Sequence, residues 1–142
     1  MSLRMTKAER EEYLAGLHVG VLSVSVGEGQ APITTPVWYS YQPGGTVNIL
    51  TGSQSLKAVA IAAQGRFSLC AQMEEPPWKY VTVEGTAVTE PVGLDERIEI
   101  ASRYLGSEAG RAFVADNPGL DDVVIRMTPD RWRTADFGKG GH

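Results

Sequence analysis

The chain has 142 residues, 42% of them hydrophobic and 21% charged, which is typical of a folded globular domain. Its net charge of −4 argues against a general nucleic-acid binder, which would need a basic surplus. One cysteine rules out an intrachain disulfide framework and favours the cytoplasm, and no apolar run approaches the roughly 20 residues that cross a bilayer. We therefore expect a cytoplasmic protein without a membrane segment, with one domain over residues 1–142.

The first elements are a short helix and three strands. Thr6 and Glu9 form a T-x-x-E capping box in front of a helix that we expect to end near Leu17. After it the apolar period changes to two, which indicates strands. Two glycine-rich turns separate three β-type runs and predict an antiparallel meander with strands from Val19 to the turn at Gly27, from Ala31 to Tyr41 and from Thr46 to Thr51.

A second helix is expected directly after the third strand. Ser55 is placed to cap it, and Gly65 is placed to end it. Apolar residues at helical spacing predict one buried face, made of Leu56, Val59, Ala60 and Ala63.

The second half of the chain continues the mixture of strands and helices. Gly85, inside a strand pattern, predicts a bulge or a barrel bend. Six or seven strands in so short a chain favour a closed or nearly closed barrel, which removes exposed sheet edges. The expected strands are Arg66 to Met73, Lys79 to Thr89, Val123 to Thr128 and Trp132 to Ala135, and the expected helices are Leu94 to Leu105, with Leu94, Ile98, Ala101 and Leu105 on one side, and Ser107 to Ala115.

The loop between the third strand and the second helix carries the most focused chemistry. Helix N–H groups, hydroxyls and a cation converge there, a combination that suits a phosphate or another anion. The alternative is that Ser55 is only a helix cap and Lys57 only a solvated side chain. The residues concerned are Thr51, Ser53, Ser55 and Lys57.

No acid/base pair, nucleophile or metal site is recognisable in the sequence. The two histidines, His18 and His142, lie at a helix–strand junction and at the chain end, so we expect neither a histidine triad nor a metal site. Cys70 is expected to be a packed strand residue. The carboxylates of Glu74, Glu75, Glu84, Asp121 and Asp122 are expected to be solvated. Catalytic residues stay unidentified, and an anion loop without them suits an enzyme whose chemistry belongs to a bound cofactor.

Most aromatic residues are explained by packing. Trp78, after two prolines, and Trp132, between two arginines, are the candidates to cover either a planar ligand or a subunit interface.

Four motifs follow one another in an order that resembles a known family. They are Leu22-Ser23-Val24 before a glycine turn, Pro36-Val37-Trp38-Tyr39, Thr51-Gly52-Ser53-Gln54-Ser55-Leu56-Lys57-Ala58, and Tyr80-Val81-Thr82-Val83-Glu84-Gly85-Thr86-Ala87. Together they resemble the pyridoxamine 5′-phosphate oxidase-like split β-barrel family, which includes FMN-binding and deazaflavin-dependent oxidoreductases.

The resemblance implies a mainly β (α+β) fold, a six-stranded antiparallel split β-barrel with short flanking helices. It also implies a homodimer with two cofactor sites at the interface. Pro36, Val37 and Trp38 would line the cofactor ring, Thr51, Ser53, Ser55 and Lys57 would hold its phosphate, and the loop with Trp78 and Lys79 would approach the site, either from the same subunit or from the partner.

The choice of cofactor depends on one departure from the FMN-using members, which usually carry a further basic residue on the second or third strand. Residues 30–56 contain no lysine or arginine. The Ser-x-Lys-Ala form at Ser55 is similar to that of deazaflavin-dependent members. The resemblance therefore favours coenzyme F-420 over FMN.

Two functions from different classes follow. The first is a flavin- or deazaflavin-dependent oxidoreductase that transfers hydride between its cofactor and a small organic substrate. The second is a non-catalytic protein that binds or stores a flavin, a haem or a similar planar ligand. Oxidation of pyridoxamine phosphate itself is not expected, because Arg131-Trp132-Arg133 only loosely matches the substrate clamp of the true oxidases.

Overall fold

The computed structural model describes residues 2–140, which form seven strands and four α-helices. His142 lies outside the described residues. The helices are α1 Lys7–Ala15, α2 Leu56–Gln64, α3 Leu94–Leu105 and α4 Ser107–Asp116, followed by a 3-10 turn at Phe137–Gly140. The strands are β1 Gly20–Val24, β2 Ile33–Val37, β3 Tyr39–Ser40, β4 Val47–Gly52, β5 Arg66–Gln72, β6 Lys79–Pro91 and β7 Asp122–Asp136.

The strands form one antiparallel sheet in the order β2-β1-β5-β6-β7-β4-β3. Its two edge strands, β2 and β3, are consecutive in the chain and are joined by the single residue Trp38. The sheet must therefore curl until its two edges meet at Trp38. The expected barrel is confirmed. It has seven strands rather than six because the predicted strand from Ala31 to Tyr41 is interrupted at Trp38.

The barrel interior is filled by the inward residues of every long strand. Tyr39 is fully buried there, and its hydroxyl donates a hydrogen bond to the Leu14 carbonyl at 2.6 Å, which ties α1 to the barrel. Burial raises the pKa of Tyr39. The fully buried strand residues include Leu22, Ile49, Leu69, Val81, Val83, Ile125 and Met127, and their alternation agrees with the predicted period of two.

The helix faces were only partly predictable. For α2 the predicted face is confirmed only at Ala60: Ala58, Ala60 and Ile61 are buried, whereas Leu56 is 71% and Val59 52% exposed and Ala63 is exposed. Apolar residues lie almost all around this helix, so their spacing does not select a face, and the docking to the barrel does.

The face predicted for α3 is also wrong in part. Ile100 and Ala101 are buried in the structure, but Leu94 is 61% exposed and Leu105 40%. The helix packs mainly through its middle.

The last strand is longer than expected. The two predicted strands at Val123 and Trp132 form one continuous strand, β7, which pairs with β6 along its whole length. The predicted irregularity at Gly85 is confirmed as a register shift between Glu84 and Gly85. A Cβ atom at Gly85 would overlap the backbone carbonyl of Thr128 on β7, so the close approach of the two strands requires glycine.

We predict that Gly85→Ala lowers the free energy of unfolding by at least about 2 kcal/mol, because β6 and β7 would have to separate at the bulge. Gly93→Ala is the matched control, since a Cβ atom there meets nothing within 4 Å. Gly93 begins α3, so its substitution should cost less than about 1 kcal/mol. Urea denaturation of both variants checks this, and equal losses would contradict the account of the bulge.

His18 has a structural role at the junction of α1 and β1. Its ring stacks on Tyr13 at a centroid distance of 4.4 Å, and its Nε2 lies 2.8 Å from the Tyr13 carbonyl. Burial lowers the pKa of His18, and nearby Arg103 lowers it further against the opposing effect of the Tyr13 hydrogen bond.

This environment predicts a pH dependence of stability. Because the folded pKa of His18 lies below its usual value near 6.5, the unfolded chain binds this proton more readily. The contribution of neutral His18 to the free energy of unfolding is therefore complete above pH 6.5, and it is lost as the pH falls through the folded pKa. Denaturant titrations at pH 7.5 and 5.5 measure the free energy of unfolding. Its decrease from the higher to the lower pH should be smaller for His18→Gln than for the parent protein. An identical decrease in both proteins would refute this role.

Candidate functional site

The predicted cap of α2 is present in the structure. The Ser55 hydroxyl accepts a hydrogen bond from the Ala58 N–H at 3.2 Å and lies 2.8 Å from the Thr51 hydroxyl. Thr51 is only 7% exposed, so within this site it acts by orienting Ser55. The start of α2 is thereby fixed relative to β4, and Lys57 projects from the first turn of the helix.

The loop before α2 is also fixed by the segment that enters β7. The Ser53 N–H donates to the Asp121 carbonyl at 3.0 Å, and Gly52 pairs with Asp122 in the sheet. We expected both aspartates to be solvated. Asp121 is exposed, but Asp122 is half-buried beside the loop.

One cavity of about 290 Å³ lies at this end of the barrel. It brings together four of the predicted site residues, Pro36, Val37, Trp38 and Lys57, which come from β2, from the link to β3 and from α2. Its other lining residues are Leu50, Arg97, Ile100, Ala101, Phe113, Val114 and Asp122, so that α3 and α4 form one wall.

Trp38 is held in this cavity by the helices. Its ring stacks on Tyr104 of α3, with centroids 4.9 Å apart and planes 7° from parallel, and it contacts Phe113 of α4 at 5.6 Å. The Tyr104 hydroxyl accepts from the Tyr39 N–H at 3.1 Å and donates to the His18 carbonyl at 2.7 Å. One side chain therefore orients the Trp38 ring and satisfies the backbone beside the strand break.

The cavity contains two cations and one carboxylate. Lys57 makes no ion pair with any of residues 2–140, whereas Arg97 lies 3.6 Å from the Asp122 carboxylate. Sequence reasoning missed Arg97, because it lies 40 positions after Lys57 in a helix with many other charged residues. With Lys57 and Arg97 against Asp122, the cavity carries one uncompensated positive charge.

Trp78 and Lys79 lie elsewhere in the chain's fold. Trp78 borders an apolar groove with Pro77 and Phe137, and Lys79 lies 3.8 Å from the Asp136 carboxylate. Neither residue lines the cavity described above. The fold therefore does not bring these two predicted residues to the cavity of their own chain.

The remaining chemical candidates are explained by packing and ion pairs. Trp132 is covered by Tyr41 in an edge contact at 6.2 Å and by the Arg10 guanidinium at 4.7 Å, which makes it a packing residue. Glu84 accepts hydrogen bonds from Arg66 and Arg133, each at 3.2 Å, and these contacts lower its pKa. Residues 2–140 contain no cluster of three or more potential metal ligands and no helix long and apolar enough to cross a membrane.

The order of the strands defines a split β-barrel, and its pocket is lined by residues of α2, α3 and α4. No protein-family model matches the sequence, and no curated protein matches it. Solved structures do match. The conserved hypothetical protein Rv2991 from Mycobacterium tuberculosis is 23% identical with a TM-score of 0.79, over 99% of this chain and 91% of that one.

Two further solved structures show the range of proteins with this fold. An F420 reductase is 18% identical with a TM-score of 0.64, over 87% of this chain and 94% of that chain. A heme binding protein from Mycobacterium smegmatis is 21% identical with a TM-score of 0.61, over 95% of this chain and 60% of that chain. These matches confirm the split-barrel fold that the motifs predicted.

We predict that Tyr104→Phe lowers the free energy of unfolding by about 1–3 kcal/mol, because the Tyr39 N–H and the His18 carbonyl lose their common partner. Tyr80→Phe is the control, since the Tyr80 hydroxyl has no hydrogen-bond partner within residues 2–140 and should change stability by less than about 0.5 kcal/mol. Denaturant titration monitored by circular dichroism measures both. Equal stability of the two variants would show that the Tyr104 hydroxyl does not stabilise the strand interruption at Trp38.

Proposed function

We propose that this chain is a flavin- or deazaflavin-dependent oxidoreductase of the pyridoxamine 5′-phosphate oxidase-like type. It is a single cofactor-binding domain over residues 1–142 that works in the cytoplasm and transfers hydride between the cofactor and a small organic substrate. The observation that carries this proposal is the meeting of Pro36, Val37 and Trp38 with Lys57 at one cavity.

The cavity suits a planar ring attached to an anionic group. Val37, Trp38 and the buried Ile100 supply an apolar wall for a ring, while Lys57 and the start of α2 supply positive charge for a phosphate. Ser55 fixes the helix start, and the Ser53 hydroxyl is available at the loop surface. When bound, a flavin or deazaflavin supplies the hydride chemistry, so the protein need only bind, orient and exclude water.

F-420 and FMN are both candidates, with F-420 favoured. Support for F-420 comes from the Ser55-Leu56-Lys57-Ala58 form and from the fold shared with an F420 reductase. The argument against FMN was the absence of a second cation in residues 30–56. Arg97 lines the same cavity and weakens that argument.

The proposed active form is a homodimer. The cavity of one chain, about 290 Å³, lies at the lower end of the roughly 300–1,000 Å³ found for ligand pockets. Trp78 is half-exposed and does not line the cavity of its own chain. A second copy would therefore complete the site by contributing its loop with Trp78 and Lys79.

A non-catalytic binding protein is the second candidate. The fold shared with a heme binding protein favours it, as does the absence of a recognisable acid/base pair in the cavity. Haem itself fits the cavity less well, because His18, the histidine among residues 2–140, packs on Tyr13 and does not line it. Turnover with reduced F-420 or FMN and a panel of quinones and enones separates the enzyme from the binder.

Direct binding tests the proposal. Purified protein is titrated with F-420 and with FMN while the fluorescence of each ligand is followed, and we expect saturable binding of at least one. Failure of both ligands to bind would refute a flavin-type function.

We predict that Lys57→Ala weakens binding of that cofactor roughly 10- to 150-fold, the equivalent of about 1.5–3 kcal/mol for a lost charged hydrogen bond. The fold should be unaffected, since Lys57 makes no ion pair within residues 2–140. Lys7→Ala is the matched control, because Lys7 lies in the first turn of α1, is exposed and does not line the cavity. An unchanged dissociation constant in Lys57→Ala would refute the role given to Lys57.

A further inference from the structure

Arg97 is built into the cavity wall. Its side chain is only 13% exposed, and it lines the same cavity as Lys57 although the two residues lie on different helices, α3 and α2. A guanidinium so far withdrawn from water is held at a defined place.

The helix that carries Arg97 is tied firmly to the barrel. On the same helix Glu96 receives two hydrogen bonds from the Arg126 guanidinium of β7, both at 2.8 Å. Arg126 also contacts Glu90 at 2.6 Å. Such a paired arrangement restricts the rotation and sliding of α3, so the position of Arg97 is set by the fold.

Part of the Arg97 guanidinium remains without a partner. Its Nη2 donates to the Asn117 carbonyl, and Asp122 lies 3.6 Å from its Nε, beyond hydrogen-bond distance. The Nε is buried and has no hydrogen-bond partner among the described residues. A guanidinium has five N–H donors, so donors remain for a ligand oxygen.

A glycine makes this arrangement possible. Gly119 has a φ of 55° and lies so close that a Cβ atom there would be 2.7 Å from the Arg97 Nη2. The chain therefore passes directly beside the guanidinium and the Asp122 carboxylate, and a side chain at position 119 would displace them.

We propose that Arg97 is a second anion-binding residue, and that the cavity holds a phosphoryl group between Lys57 and Arg97. The two cations come from different helices, α2 and α3, and the start of α2 adds the partial positive charge of its N–H groups. A phosphoryl group has several terminal oxygens that can accept hydrogen bonds from Lys57, from Arg97 and from the α2 N–H groups at once, whereas a carboxylate has only two. Asp122 holds Arg97 in the ligand-free protein and competes with the ligand for it.

This inference deepens the proposed function, since there the phosphoryl group belongs to the cofactor. The same chemistry is offered by free phosphate, which provides an independent probe. Arg97→Gln removes the donors, Asp122→Asn removes the competitor at nearly constant shape, and Arg111→Gln removes one exposed positive charge from α4 outside the cavity.

The first arm is a titration with inorganic phosphate that is monitored through the ¹⁵N NMR signals of the arginine Nε–H groups. The Arg97 signal is identified as the one that is missing in Arg97→Gln. We expect a saturable shift of the Arg97 signal. The phosphate affinity should fall at least tenfold in Arg97→Gln, rise in Asp122→Asn and stay unchanged in Arg111→Gln. If the Arg97–Asp122 pair is only structural, Arg97→Gln and Asp122→Asn should weaken phosphate binding equally. That result would overturn the proposal. A failure of phosphate to shift the Arg97 signal would also overturn it.

The second arm measures the dissociation constants of FMN and F-420 in the same variants. If a cofactor binds Arg97→Gln as tightly as the parent protein, the inference is wrong and the proposed function stands. If phosphate behaves as expected but neither cofactor binds, the anion site stands and the flavin function is wrong.

Discussion

The closure of the sheet at Trp38 is the constraint on which the rest of the structure depends. The two edge strands β2 and β3 are separated by this one residue, so the curvature of the whole sheet is set where they meet. Trp38 cannot pair as a strand residue on either side, and its ring turns to the helices instead. The residue that closes the barrel therefore also lines the cavity.

The helices stabilise this closure and form the cavity wall at the same time. The Tyr104 hydroxyl holds the backbone of Tyr39 while the Tyr104 ring stacks on Trp38. One and two turns earlier on the same helix face, Ile100 and Arg97 line the cavity. Opposite them, Ser55 fixes the start of α2 and thus the position of Lys57. Barrel closure, helix docking and cavity charge are consequently parts of one arrangement.

Local signals in the sequence were sufficient for most of the strands and for the cap of α2. The apolar period of two identified the strands, and the position of Ser55 directly before the predicted helix identified the cap. The face of α2 could not be predicted, because its apolar residues surround the helix and only the docking to the barrel selects Ala58, Ala60 and Ile61. The interruption at Trp38 likewise depends on pairing with two strands that are distant in the chain.

Arg97 shows most clearly what local reasoning misses. Nothing in its own helix distinguishes it from Arg103, and only the approach of α3 to the barrel places it beside Lys57. The same holds for Asp122, which by position alone is a solvated residue at a strand entry. The charge of the cavity is a tertiary property, so the sequence identified Lys57 as a candidate but not Arg97 or Asp122, which line the same cavity.

The central claim is that the cavity beside Trp38 and Lys57 receives a flavin-type cofactor and is completed by a second copy of the chain. Native mass spectrometry of the protein mixed with F-420 or with FMN tests both parts in one measurement. We expect a complex of two chains with two cofactor molecules. A monomer or dimer that retains no cofactor at saturating concentrations of either ligand would contradict it.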